Sequence, residues 1–320
     1  MAATVSNMWR VVRFSRNVAS LHANIRRRTI SRTSIQSARF ISTEERQQES
    51  DLVVSYVEAG EDTGEDLGQI IVLAINRPTV RNALGKNIVG LFIDAINSAK
   101  FDKRVRTLIL RSAVPGIFCA GADLKERVKM APNEVAPFVA KARGIMSELE
   151  NLPMPVIAAL DGGAYGGGLE MALACDIRIA STTAKMGLTE TKLAIIPGAG
   201  GTQRLPRIIG KGRAKEMIFT GRVIDGEQAE GIGLVNYAVK QNEEGTAAYK
   251  RALEMAKEIC SNGPIGVKMT KVAINKGSEV DLQSGLAIEE MCYAQTIPTK
   301  DRLIALKAFA DKKRPIFIGE

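Results

Sequence analysis

Asp161–Asp176 reads D-G-G-A-Y-G-G-G-L-E-M-A-L-A-C-D, and the chain is best read outward from it. Three consecutive glycines, Gly166, Gly167 and Gly168, run directly into Glu170 and an alanine-rich apolar segment. Leu169–Ala174 has the composition of a helix, so the glycines stand where a helix begins. There the backbone N–H groups lack intrahelical partners and the helix dipole is positive, a combination that holds an anion. Glycine also lets other backbone approach closely, so tight helix packing is an equally physical reading of the run. Upstream, the apolar Val156–Leu160 is a buried strand, and Asp176–Ala180 is the next. A strand, a small-residue turn and a helix with a carboxylate in its first turn therefore follow in order.

The same pattern occurs earlier. Val105–Leu110 is an apolar strand, followed by an expected loop over Ser112–Ala120 and then Phe118–Lys125, F-C-A-G-A-D-L-K. Pro132–Leu152 is expected to be a long helix stopped by Pro153 and Pro155. Before these, Leu52–Glu58 and Gln69–Ala74 read as strands. Lys86–Lys100 reads as a helix with Ile88, Phe92, Ala95, Ile96 and Ala99 on one face. Beyond about residue 242 strand signals end. Glu243–Cys260, Ile265–Asn275, Asp281–Thr296 and Thr299–Lys312 are expected helices. Strand–loop–helix repetition implies an α/β fold with ligand groups at strand ends, whose units could stack as a spiral although no repeat shows at the residue level, followed by an all-helical tail.

Histidine usage narrows the chemistry. The single histidine, His22, lies in Met1–Thr43, a segment with eight arginines, no lysine and no acid. Arginine- and serine-rich, acid-free composition is that of a mitochondrial transit peptide; a basic nucleic-acid-binding arm is the alternative. Its removal leaves a protein without histidine, which excludes Ser-His-Asp triads and histidine zinc sites. Proton transfer then falls to Glu, Asp, Lys, Tyr or Cys. Eight of the 44 basic residues lie in that segment, leaving 36 against 35 acids, so the high pI belongs to the leader. Cys119, Cys175, Cys260 and Cys292 form no metal or redox spacing and read as buried thiols. No apolar run is long enough to span a bilayer.

A second acidic candidate, Glu190, lies in Met186–Leu205, M-G-L-T-E-T-K-L-A-I-I-P-G-A-G-G-T-Q-R-L. By its surroundings it is either a functional carboxylate or a surface glutamate at a helix start. Gly200-Gly201-Thr202 could form a phosphate loop, but lacks P-loop spacing; no Rossmann fingerprint fits Gly163, Gly166 and Gly168.

Together, three blocks in order are recognisable: Phe118–Glu126, Ile157–Ser181 and Glu190–Arg207. They resemble the signatures of the enoyl-CoA hydratase/isomerase, or crotonase, superfamily, and the resemblance extends from about Val53 to the C-terminus. It implies a spiral core of ββα units over 43–242 behind a leader at 1–42, with a C-terminal helical assembly subdomain at 243–320. It implies an oxyanion hole formed by the N–H groups of Ala122 and Gly167, and paired catalytic glutamates, Glu170 and Glu190. Ala120, Ala122, Asp123, Leu124, Lys125 and Gly167 would contact the substrate, with Arg81 or Lys125 near its anionic part. The implied activity is hydration of an α,β-unsaturated acyl group carried as a coenzyme A thioester, without metal or other cofactor, in the mitochondrial matrix. Gly285–Leu303 carries a narrower likeness that points to 3-methylglutaconyl-CoA in leucine catabolism as the substrate, with short-chain enoyl-CoA as the alternative. The resemblance also implies a homotrimer or a hexamer of paired trimers. RNA is a further partner to weigh, but Lys86–Lys100 carries basic residues only at its ends, short of a phosphate-tracking stripe.

Overall fold

The computed structural model describes residues 50–60 and 64–320; the expected leader at 1–42 lies outside the described residues. The strands with nearly unbroken apolar runs lie side by side in the middle of the larger sheet, as burial on both faces requires. These are β2 (Gln69–Ile75), β3 (Val105–Ser112), β5 (Val156–Leu160) and β7 (Ile177–Ser181). They pair in parallel in that order, with β9 (Tyr237–Val239) following β7; β1 (Leu52–Glu58) pairs antiparallel on β2 as the outer edge.

A second sheet holds three very short strands in parallel order, β4 (Ile117–Cys119), β6 (Gly163–Tyr165) and β8 (Met186–Gly187). Each follows one long strand of the first sheet, and each leads into helical chain. The β3–β4 pair leads to α2 (Leu124–Val128) and α3 (Pro132–Glu150), and β5–β6 leads to α4 (Gly167–Leu173). The β7–β8 pair leads through a 3-10 turn, Glu190–Leu193, to α5 (Gly201–Ile209), followed by α6 (Lys211–Thr220) and α7 (Gly226–Gly231). The result is a spiral of ββα units. The expected loop at Ser112–Ala120 is corrected accordingly: Ser112 ends β3, and Ile117–Cys119 is fully buried strand.

Helix α1 (Lys86–Phe101) lays Ile88, Val89, Phe92, Ile96 and Ala99 into the core, leaving its polar side outward. Lys86 pairs with Glu134 at 3.5 Å and Lys100 with Glu148 at 3.0 Å, so both cations of this helix face carboxylates and it presents no cationic track. Among the tail helices, α8 (Ala247–Cys260) covers the other face of the six-stranded sheet. Ala248, Ala252, Ala256 and Cys260 are fully buried against Ile70, Val72, Ile109, Ile157 and Ile179. Small residues at every fourth position let the helix lie close to the strands. The Asp161 carboxylate, at the β5–β6 turn, accepts from the N–H groups of Ala248 (2.8 Å) and Tyr249 (3.1 Å) at the start of α8. That contact supplies acceptors to orphan helix donors and ties the tail to the turn that precedes the glycine run. Helices α9 (Pro264–Gly277), α10 (Leu282–Ala294) and α11 (Lys300–Ala310) complete the chain. All four cysteines are buried free thiols.

Candidate active site

Two turns at strand ends converge on one cavity. The first is Ala120–Asp123. It is locked to the segment before α1 by backbone bonds: Leu84 N–H donates to Gly121 O (2.7 Å), Asp123 N–H to Leu84 O (3.0 Å) and Ala120 N–H to Arg81 O (3.1 Å). Asn82, fully buried, holds the other side of this segment. Its Nδ2 donates to Ser112 Oγ (2.7 Å) and Phe118 O (3.0 Å), while its Oδ1 accepts from Arg77 N–H (2.7 Å). Asn82 has φ +59°, a conformation that asparagine adopts more readily than most residues.

The second turn is the glycine run. Gly166, at φ +49°, caps α4 in a conformation that disfavours a side chain, and Gly167 is the first helical residue. Gly168 serves packing instead: a Cβ there would lie 2.4 Å from Cys119 O. Both readings of the run therefore hold, at different glycines. Ala122 N lies 3.8 Å from where a Cβ on Gly167 would sit, so the two backbone N–H groups lie close together. Neither donates to another described residue. Two free N–H groups close together, one of them at a helix start, can hold an oxygen carrying negative charge.

Glu170 is nearly buried, one turn into α4. Its Oε1 accepts from Ala199 N–H and Gly201 N–H, each at 2.8 Å. This corrects the phosphate-loop reading of Gly200–Thr202, because the amides of that turn are used by the protein's own carboxylate. Arg204 braces the turn, donating to Ala199 O (3.2 Å) and pairing with Glu150 (2.7 Å). Burial raises the Glu170 pKa; the two amides, Arg204 and Arg143 oppose that shift.

Glu190, in the first turn after β8, is not a surface glutamate. Its Oε2 is buried with no hydrogen-bond partner among the described residues. Burial, reinforced by the charge of Glu170, raises its pKa to about 7. A Cβ on Gly166 would lie 2.9 Å from Glu190 Oε1, so the glycine also makes room for this carboxylate. One carboxylate with two strong donors beside one with an unpartnered buried oxygen is an arrangement that separates the affinities of the pair for protons.

The cavity between these groups has a volume of about 710 Å³. Ala120, Ala122, Leu124, Gly167, Glu170 and Glu190 line it; Asp123 and Lys125 do not. The Asp123 carboxylate instead caps α2, accepting from Glu126 N–H (3.2 Å), and lies 3.7 Å from Arg77. Lys125 and Arg81 are exposed. Sequence reading missed the wall supplied by α3, where Phe138, Val139 and Arg143 face the cavity together with Arg127 from α2. Pro132–Leu152 is legible in the sequence as a long helix, with nothing in it to say that part of the helix bounds an open space. No cluster of side chains suited to a metal ion occurs among the described residues.

Comparison with known proteins gives the same assignment from three directions. Residues 65–320 match the family described as enoyl-CoA hydratase/isomerase. Human mitochondrial methylglutaconyl-CoA hydratase is 59% identical over 251 residues, 78% of this chain and 74% of that protein. Mouse mitochondrial enoyl-CoA hydratase domain-containing protein 2 is 57% identical over 258 residues, 81% and 87% of the two chains. The crystal structure of an enoyl-CoA hydratase from Bacillus anthracis superposes with a TM-score of 0.79 at 44% identity, covering 85% of this chain and all of that one.

Proposed function

The chain belongs to the enoyl-CoA hydratase/isomerase family, and we propose that within it the enzyme hydrates 3-methylglutaconyl-CoA to 3-hydroxy-3-methylglutaryl-CoA in the mitochondrial matrix. The observation that carries the hydratase reading is the pair Glu170 and Glu190 on one cavity beside two free backbone donors. The 59% identity to methylglutaconyl-CoA hydratases of human, mouse and rat supports the acyl group.

Water adds across the conjugated double bond in two bond-forming events. Its oxygen attacks the β-carbon while the Glu170 carboxylate takes one of its protons. The electron pair of the double bond moves to the thioester carbonyl, and the N–H groups of Ala122 and Gly167 stabilise the resulting oxyanion. Glu190, whose raised pKa of about 7 keeps a protonated fraction at neutral pH, gives its proton to the α-carbon. The sum is one water added; the proton on Glu170 and the charge on Glu190 are exchanged back through solvent. Ala120 and Leu124 line the path of the thioester, and Asp123 acts by holding α2 in place. The same pair of donors and carboxylates accounts for the chemistry without a metal or redox group.

The substrate assignment is tested by comparing kcat/KM for 3-methylglutaconyl-CoA and crotonyl-CoA with residues 43–320. A preference of at least about tenfold for methylglutaconyl-CoA is expected, the size of one well-made polar contact. A preference for crotonyl-CoA would assign the enzyme to short-chain enoyl-CoA instead.

A further inference from the structure

The distal carboxylate of 3-methylglutaconyl-CoA needs a partner that an unbranched enoyl chain does not. The cavity is walled largely by apolar side chains, among them Leu84, Val135, Val139 and Ile196. A carboxylate entering such a space without a cation or several donors would lose its hydration with nothing in exchange. Two cations line the cavity, Arg127 and Arg143.

Their surroundings differ. Arg127 lies over the Phe138 ring at 5.2 Å, and its Nε is buried without an acceptor. Arg143, on α3, donates from Nε to Gly198 O at 3.0 Å. That bond fixes the guanidinium at the turn whose amides hold Glu170 Oε1. The terminal nitrogens of Arg143 have no hydrogen-bond or ion-pair partner among the described residues. An anchored guanidinium with its free edge toward a cavity is suited to bidentate recognition of a carboxylate.

Distance along the substrate decides between the two. The distal carboxylate is joined to the β-carbon through a single methylene, and the β-carbon is where water activated by Glu170 attacks. The group that pairs with it must therefore lie near Glu170. Arg143 is tied to the Glu170 turn and its charge acts on Glu170, whereas Arg127 is held against Phe138. We infer that Arg143 is the specificity-determining residue of this enzyme, pairing with the distal carboxylate of a branched dicarboxylic enoyl-CoA. This inference rests on the substrate reading given above. A neutral acyl chain would leave the Arg143 guanidinium facing apolar substrate atoms, which disfavours that chain as well as favouring the charged one.

The test is the ratio of kcat/KM for methylglutaconyl-CoA to that for crotonyl-CoA, measured for wild type, Arg143→Leu, Arg143→Lys and Arg127→Leu. Arg143→Leu is expected to lower the ratio about 100-fold, the usual effect of deleting a charged partner at a polar recognition site. Most of the loss should appear in KM for the dicarboxylic substrate. Arg143→Lys should recover part of the ratio, and Arg127→Leu should change it less than about threefold relative to wild type, following the distance argument. An unchanged ratio in Arg143→Leu overturns the inference, as does a loss confined to Arg127→Leu. A wild-type enzyme that itself prefers crotonyl-CoA would instead bring down the substrate reading, and the inference with it.

Discussion

Glu170 and Glu190 are the same residue type in one cavity, and their neighbours give them opposite tasks. Glu170 receives two backbone N–H donors on one oxygen, and these oppose the rise in pKa that its burial causes. Glu190 has an orphan buried oxygen and a pKa of about 7, which suits it to the proton-donating part in the proposed mechanism. The shift has a consequence for stability. Because the folded-state pKa of Glu190 is raised above the ordinary value of 4.5, folding favours its protonated form. That contribution is fully present below about pH 4.5 and is lost as pH rises through about 7. Glu190→Gln cannot ionise and keeps its uncharged form throughout. The Tm of Glu190→Gln minus that of wild type should therefore increase between pH 5 and pH 8, as read by scanning calorimetry at both values. A difference that stays constant would show that the carboxylate is not held protonated by the fold. At this scale the sequence was informative about Glu170, whose position after three glycines is distinctive. It left Glu190 open, because nothing local distinguishes a buried carboxylate in a turn from an exposed one. The place of Arg143 was not legible, since it is held by a turn 55 residues further along the chain.

Among the elements, length decided what could be read. The long helices α1 and α3 and the apolar strands β2, β3, β5 and β7 announce themselves by period and composition, and their observed bounds differ from the expected ones by a few residues. The strands β4, β6 and β8 comprise two or three residues each and carry no periodicity. They exist because each pairs with the corresponding strand of the next unit, a contact made only after the chain has spiralled. Yet these short strands aim the site. Strand β4 delivers Ala120–Asp123, β6 delivers the glycine run, and β8 delivers Glu190. The three blocks recognised in the sequence are therefore the three ends of one small sheet.

For the molecule as a whole, the tail divides into a part that serves the core and a part with apolar surface to spare. Helix α8 closes the back of the six-stranded sheet. Helices α10 and α11 leave large apolar side chains in the open, including Leu282, Met291, Leu303 and Phe309, the last 85% exposed. Such a surface fits self-association, and a trimer or a pair of trimers is our reading of the assembly. Light scattering should find wild-type particles of three or six protomers and a shift to monomers in a Leu303→Glu, Phe309→Glu double variant. A wild-type monomer at micromolar concentration would contradict it. The sequence showed that the tail is helical but not which helices cover the core, because the alanine stripe of α8 gains its meaning only where it meets the sheet.

The central claim is that two carboxylates and two backbone donors on one cavity carry out the hydration. It is tested most directly by kcat for 3-methylglutaconyl-CoA in Glu170→Gln and Glu190→Gln, alongside the Kd of a saturated acyl-CoA for each variant. Each substitution should lower kcat by about 10²–10⁴-fold, the range for losing a positioned acid or base, while the Kd changes little. Near-wild-type turnover in either variant, with ligand binding intact, would contradict the account.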